Sequence, residues 1–203
     1  MKAIMKSVSP RICEKVANGD CTILVSKTAP KCEVPFKGYI CCTSSDVHSA
    51  LVVGDGDAKL IYCCNYKNAI PVGGVIGNGK VIGEFICDKI IEWQYDKGHQ
   101  YYVEYPDDCT SYFPYLKCHS EATGLKCSEI EKLGKGKPLY GWHISDLKIY
   151  GKPKELSEFY SRCNIPENKC KCCDNCFWKE NGCGKDYAVK KLTRAPQSWQ
   201  YVE

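Results

Sequence analysis

Ala3-Ile4-Met5-Lys6-Ser7-Val8-Ser9-Pro10 carries the reading on which the fold turns. Ala3 to Ser7 reads as a short strand. Ser9 then fits a helix N-cap, and Pro10 the first helical position, where a missing N–H costs nothing. Ile12 and Val16, with Cys13 and Ala17 alongside, lay one apolar stripe along that helix. Asn18-Gly19 supplies a left-handed stop, and Thr22-Ile23-Leu24-Val25-Ser26 resumes as a β-branched strand. A strand, a helix and a strand therefore open the fold.

Outward from there, strands dominate. Pro30 and Pro35 bracket a loop before a strand at Gly38 to Thr43. Asp55-Gly56 and Asp57 mark a turn, with Leu60 to Cys64 as the returning strand. Gly73 to Gly79 is glycine-rich, but it lacks the G-x-G-x-x-G spacing and the G-K-[ST] ending of a phosphate loop. It reads as a turn before one long strand, Lys80 to Trp93, in which Gly83 predicts a bulge or a close backbone contact. Residues 94–139 form an excursion, polar and Tyr-rich over 94–120, with a short helix at Ser128 to Leu133 stopped by Gly134. Tyr140 to Tyr150 is a second long strand, Lys154 to Tyr160 a helical turn, and Ser198 to Val202 the closing segment. This order predicts an α+β fold, a mixed β-barrel with short helices, in a single domain over 1–203.

Composition sets the class. A chain of 203 residues with 44% apolar and 26% charged residues can bury a real core. The net charge of +4 is too small to define a partner. No long apolar run is present, so neither a membrane span nor a signal peptide is expected, and a cytoplasmic location follows. In that compartment the 17 cysteines are reduced. Many sit in apolar runs such as Ile40-Cys41-Cys42 and read as small buried hydrophobes.

Cys163, Cys170, Cys172, Cys173, Cys176 and Cys183 form a knot of a different kind. The C-x-x-C spacing occurs twice, at Cys170/Cys173 and Cys173/Cys176. It lets two thiolates turn onto one tetrahedral ion. The expectation is a structural zinc held by four of Cys163, Cys170, Cys173, Cys176 and Cys183. The segment 163–183 then reads as a cysteine-rich, zinc-knuckle-like insertion clipped by metal rather than by a core of its own.

The opening strand and helix, the strand Thr22 to Lys27, and Lys80-Val81-Ile82-Gly83-Glu84-Phe85 resemble the ASCH domain family of the PUA-like superfamily. Tyr140-Gly141-Trp142-His143-Ile144-Ser145-Asp146-Leu147 and Lys152 to Phe159, with Ala195-Pro196-Gln197-Ser198-Trp199, resemble a subgroup common in phages and mobile elements. The resemblance implies a PUA-like mixed β-barrel with a cleft beside the first helix, binding RNA or a nucleotide-like ligand. It also implies two alternatives: a hydrolase acting on a modified nucleoside or RNA, and a phage-encoded protein binding a host protein. The family signature is a Gly, a Lys two residues on, and an Arg about five further, with an acidic residue between. Here Gly19 holds the Gly, but Cys21, Leu24 and Ser26 stand at the Lys, acidic and Arg positions. Without those groups the expected module is non-catalytic.

Two sets of residues carry these expectations. Catalysis, if retained, would fall to Cys21, Thr22 and His143, since a thiol nucleophile needs a base to activate it. Ligand or RNA binding falls to Lys6, Arg11, Gly19, Ser26, Lys27, Trp142 and His143. Tyr140, Trp199 and Tyr201 offer further stacking surfaces, and Lys148 and Arg194 further cations.

Overall fold

A computed structural model describes residues 3–44, 49–54, 57–62, 70, 73–96, 100–102, 121–162 and 189–202. The thiol knot, Leu60 to Cys64 beyond Tyr62, and most of the 94–120 excursion lie outside the described residues. Strand β1 (Ala3–Val8) leads into helix α1 (Pro10–Ala17), β2 (Ile23–Ser26) and β3 (Phe36–Cys42). Then follow β4 (Ser49–Gly54), β5 (Asp57–Tyr62), β6 (Val75–Ile76), β7 (Val81–Cys87), β8 (Ile90–Asp96) and β9 (Gln100–Tyr102). Helix α2 (Cys127–Gly134), β10 (Leu139–His143), β11 (Ser145–Lys154), a 3-10 turn (Leu156–Glu158), β12 (Tyr160–Arg162), β13 (Val189–Lys191) and β14 (Trp199–Val202) complete the order.

The opening reads as the residues demand. Ser9 occupies the N-cap in extended conformation, and its carbonyl accepts from the amides of Ile12 and Cys13. Its hydroxyl makes no cap bond. Gly19 takes φ +79° and closes the helix through its amide to Val16, the left-handed stop that glycine adopts without penalty.

A five-stranded sheet runs β11-β7-β3-β1-β14, and a four-stranded one β2-β10-β8-β9. A three-stranded sheet, β5-β4-β6, lies against α1, where Glu14 accepts from the amide of Leu60. Strands β1 and β3 run parallel, and the remaining neighbours antiparallel. The result is mostly strands in mixed sheets with few short helices, as the α+β reading expected.

The two long strands foreseen each break in two. Lys80 to Trp93 becomes β7 and β8, parted at the exposed pair Asp88-Lys89, and Tyr140 to Tyr150 becomes β10 and β11, parted at Ile144. The breaks face each other, with the amide of His143 donating to Lys89 O at 3.0 Å. At this corner both segments cross between the sheets, β7 to β8 from the five-stranded to the four-stranded one and β10 to β11 back again, which lets the layers fold over a common core. Apolar pattern runs on through such a corner, so it is silent in sequence.

That core gathers Ile4, Val8, Ile12, Phe36, Ile40, Leu51, Ile82, Phe85 and Trp142 between the sheets and α1. Gly38 sits directly across from Phe85, whose ring would lie 2.3 Å from any Cβ there. A second cluster (Met5, Cys41, Val81, Phe159, Leu192, Val202) covers the other face of the five-stranded sheet. A third (Ile23, Trp93, Tyr101, Ile130, Leu139) seats α2 on the four-stranded sheet. Strands β12 and β13 pair Arg162 with Val189, and Leu192 N donates to Phe159 O at 2.9 Å. Arg162 and Val189 are thus held side by side in one anchored ribbon. Among the described residues, no helix is long and apolar enough to cross a membrane.

Candidate functional site

Strand alternation decides which side chains meet inside the barrel. On β1, Ile4, Lys6 and Val8 face the central core, while Ala3 and Met5 face the second cluster. Lys6 lies opposite Trp199 on β14, and Ile4 opposite Tyr201. On β10, Trp142 and Tyr140 lie opposite Leu24 and Ser26 of β2. These two sets turn toward one another. The Lys6 ammonium stands 4.7 Å from the Trp142 ring centroid, and Trp142 packs against Trp199 at 5.8 Å and edge-on to Phe36 at 5.6 Å. Trp199 in turn meets Tyr201 at 5.6 Å.

The polar groups on this floor are unusual for a core. Lys6 is only 4% exposed and has no carboxylate partner among the described residues. Burial lowers its pKa to about 7, because a charge loses water's solvation there. Ser26 Oγ and Trp142 Nε1 are buried without a hydrogen-bond partner among the described residues. Buried polar groups are nearly always paired, and these two, on the paired strands β2 and β10, are exceptions. Lys6, Ser26 and Trp142 can all donate, and Ser26, like Lys6 when neutral, can also accept.

The loop joining β2 and β3 lies at the edge of this floor. Trp199 Nε1 donates to Thr28 Oγ1 at 2.9 Å, and the amide of Lys31 donates to the Tyr201 hydroxyl at 2.9 Å. Lys27, Thr28 and Lys31 are exposed, while Tyr140, Trp199 and Tyr201 are half-buried. Beyond Trp199, a hollow of about 590 Å³ runs along the return to β14, with Lys191, Arg194 and Gln197 on its wall.

The other candidate residues stand apart from this floor in their contacts. Arg11 donates to Glu129 at 2.7 Å and to Gly124 O at 3.3 Å, tying α1 to α2. Gly19 forms the helix stop already described. Thr22 is exposed and works through its backbone, its amide donating to Ala122 O and its carbonyl accepting from Ile144. The Cys21 thiol is buried and donates to the carbonyls of Ile23 (3.5 Å) and Thr123 (3.3 Å). Burial pushes its pKa up to about 11, which suppresses the thiolate a nucleophile needs. His143 instead pairs with Asp88, Nδ1 to Oδ1 at 2.6 Å, and that hydrogen bond holds the Asp88 carboxyl below its usual range. No contact joins Cys21 to His143 among the described residues.

Reading by type missed Asp88, Thr28 and Lys31. Asp88 and His143 meet only because the two sheet corners coincide, and no spacing signals it. Among the described residues, no cluster of three His, Cys, Asp or Glu side chains is placed to hold a metal.

No family model and no curated protein matches the sequence. Solved structures do match in shape. The ASCH protein from Zymomonas mobilis superposes with a TM-score of 0.52 at 12% identity, over 100% of this chain and 88% of that one. A mutant form of it gives a TM-score of 0.53 at 12% identity, over 100% and 91%. The chain has the ASCH fold.

Proposed function

We propose that this protein is an RNA- or nucleotide-binding module whose ligand sits over the Lys6–Trp142 floor, at the edge formed by Trp199, Tyr201 and the β2–β3 loop. The carrying observation is the buried Lys6 ammonium over an indole, with no carboxylate among the described residues to neutralise it. Tyr140, Trp199 and Tyr201 supply ring faces for stacking, and each base–aromatic stack contributes about 1–3 kcal/mol. Lys27, Lys31 and Arg194 are exposed cations around that edge, suited to backbone phosphates. The similar fold of the ASCH structures supports the reading at the level of architecture.

The test is binding of single-stranded RNA oligonucleotides by fluorescence anisotropy at several salt concentrations. Binding that weakens steeply with salt, and weakens further in Trp199→Ala, supports the reading. Absence of any RNA or nucleotide binding at low salt rejects it.

We also infer a structural zinc in the insertion, held by four of Cys163, Cys170, Cys173, Cys176 and Cys183. The β12–β13 ribbon, which holds the ends of the segment together, supports this, as does the doubled C-x-x-C spacing. About one zinc per chain in protein purified under reducing, chelator-free conditions is the expected result. A value near zero removes the metal.

A further inference from the structure

Strand β14 has two faces, and the cleft uses one of them. Trp199 and Tyr201, opposite Lys6 and Ile4 of β1, pack against the central core. Gln200 and Val202 stand opposite Met5 and Ala3, and Ala3, Met5 and Val202 belong to the second cluster. Alternation therefore puts Gln200 on the far face of the strand. The hollow of about 590 Å³ is lined on that side by Gln200, Leu192 and Ala195, and the last two pack in the second cluster. Its volume falls within the roughly 300–1,000 Å³ of small-molecule sites.

The wall of this hollow is fixed at both ends. At one end Leu192 N donates to Phe159 O at 2.9 Å, which ties the return to the segment that enters the β12–β13 ribbon. At the other, Pro196 O accepts from the Ser7 hydroxyl at 2.6 Å, and Ser198 O from the Ser7 amide at 2.8 Å. A site already held in shape spends less binding energy on ordering itself. Two exposed cations stand on the wall, Lys191 on β13 and Arg194 on the return. No Asp or Glu is among the lining residues, and neither cation forms an ion pair among the described residues. The side-chain nitrogen of Gln200 is enclosed without a hydrogen-bond partner among the described residues. Leu192, Ala195 and Pro196 give the hollow an apolar side.

We propose that this hollow binds a small organic anion, with its charged group on Lys191 and Arg194 and its apolar body against Leu192, Ala195 and Pro196. The inference goes beyond the nucleic-acid reading, because the site lies across β14 from that cleft. Arg194 offers a planar fork that fits a carboxylate or a phosphate in two hydrogen bonds, and Lys191 adds a point charge. An amine would meet two cations and no acid to hold it. An inorganic anion would leave the apolar side unfilled. The last torsion of a Gln side chain is broad, so the Gln200 amide can turn its NH2 to an acceptor on the ligand. Organic carboxylates and phosphate monoesters share this chemistry.

The experiment is an NMR titration of the 15N-labelled full chain with four compounds: phenyl phosphate, benzoate, benzyl alcohol and inorganic phosphate. The readouts are the backbone amides of residues 191–200 and the side-chain NH2 of Gln200, assigned by its loss in Gln200→Met. Phenyl phosphate and benzoate should shift these resonances and bind at least about five-fold more tightly than benzyl alcohol or inorganic phosphate. Lys191→Gln and Arg194→Gln should each weaken both organic anions several-fold. A saturating short single-stranded RNA should leave the anion-dependent shifts in place. Equal binding of benzyl alcohol overturns the charge recognition, and equal binding of inorganic phosphate means an adventitious ion only and overturns the proposal. Displacement of the anions by RNA also overturns it, since the hollow would then belong to the nucleic-acid surface. No shift with any of the four compounds rejects the site and leaves the RNA reading standing. Anion binding in a chain that binds no RNA supports the site and rejects the RNA reading.

Discussion

The Lys6 ammonium lies over the indole of Trp142, 4.7 Å from the ring centroid, although the two residues belong to different sheets. Lys6 comes from the strand that opens the chain and Trp142 from the strand that turns the second corner. Their meeting places an enclosed cation against a ring face in the core, and the behaviour of that cation is measurable without any ligand.

Lys6 is expected to weaken the unliganded fold at low pH. Its pKa falls from 10.5 to about 7 on folding, so the unfolded chain holds the extra proton between those values. Stability therefore rises with pH across that window, and the cost is fully present below about pH 7. At about 1.36 kcal/mol per unit the cost is bounded near 5 kcal/mol, partly offset by a cation–π contact of about 1–2 kcal/mol. Lys6→Met should raise the Tm near pH 6 and lose that advantage toward pH 10. A variant less stable than the parent near pH 6 would contradict this.

Glu129 joins two elements at once. One carboxylate oxygen accepts from the Lys126 amide at 2.8 Å and the other from Arg11 at 2.7 Å. The backbone hydrogen bond from Lys126, ahead of Arg11, holds its carboxyl below the usual range. Both members of the ion pair are more than a third exposed, so the pair alone is worth less than about 1 kcal/mol. Glu129→Ala should cost about 1–2 kcal/mol in urea unfolding, by loss of cap and pair together, and Arg11→Ala less. The depressed pKa means this contribution is present above the unfolded value, about 4.3, and is lost as pH falls through the folded one. The gap between the parent and Glu129→Ala should shrink toward about pH 2.

Gly83 marks the tightest place on the β7–β11 seam. A Cβ there would stand 2.6 Å from the Lys148 carbonyl, and the register slips between Ile149 and Lys154. The backbone cannot give without breaking the ladder. Gly83→Ala should cost about 1–3 kcal/mol, read as a lower midpoint in urea. An unchanged midpoint would show that the seam relaxes freely.

The buried thiols should be silent. Cys13, Cys21, Cys41, Cys42 and Cys87 are buried, and burial raises Cys41 and Cys87 to about 12. Cys127 is exposed. Iodoacetamide followed by peptide mapping should label Cys127 at least about 100-fold faster than Cys21 in the native state, with Cys21 reacting once the chain unfolds. Rapid native labelling of Cys21 would restore it as a candidate nucleophile.

Sequence by itself determined the opening strand–helix–strand, because Ser9, Pro10 and Gly19 act on their own neighbours through short-range sterics and hydrogen bonds. It also determined the barrel class and the tight contact at Gly83. It placed Lys6, Ser26 and Trp142 in the candidate set by residue type and resemblance, but could not say that they share one floor. Only the tertiary structure decided that. It broke the two long strands at facing corners, paired His143 with Asp88, drew Arg11 to Glu129 and enclosed Cys21 against carbonyls. Each of these depends on which strand lies beside which, a choice made by packing the whole core. Local sequence carries strand period and turn chemistry, but not the partner across a sheet.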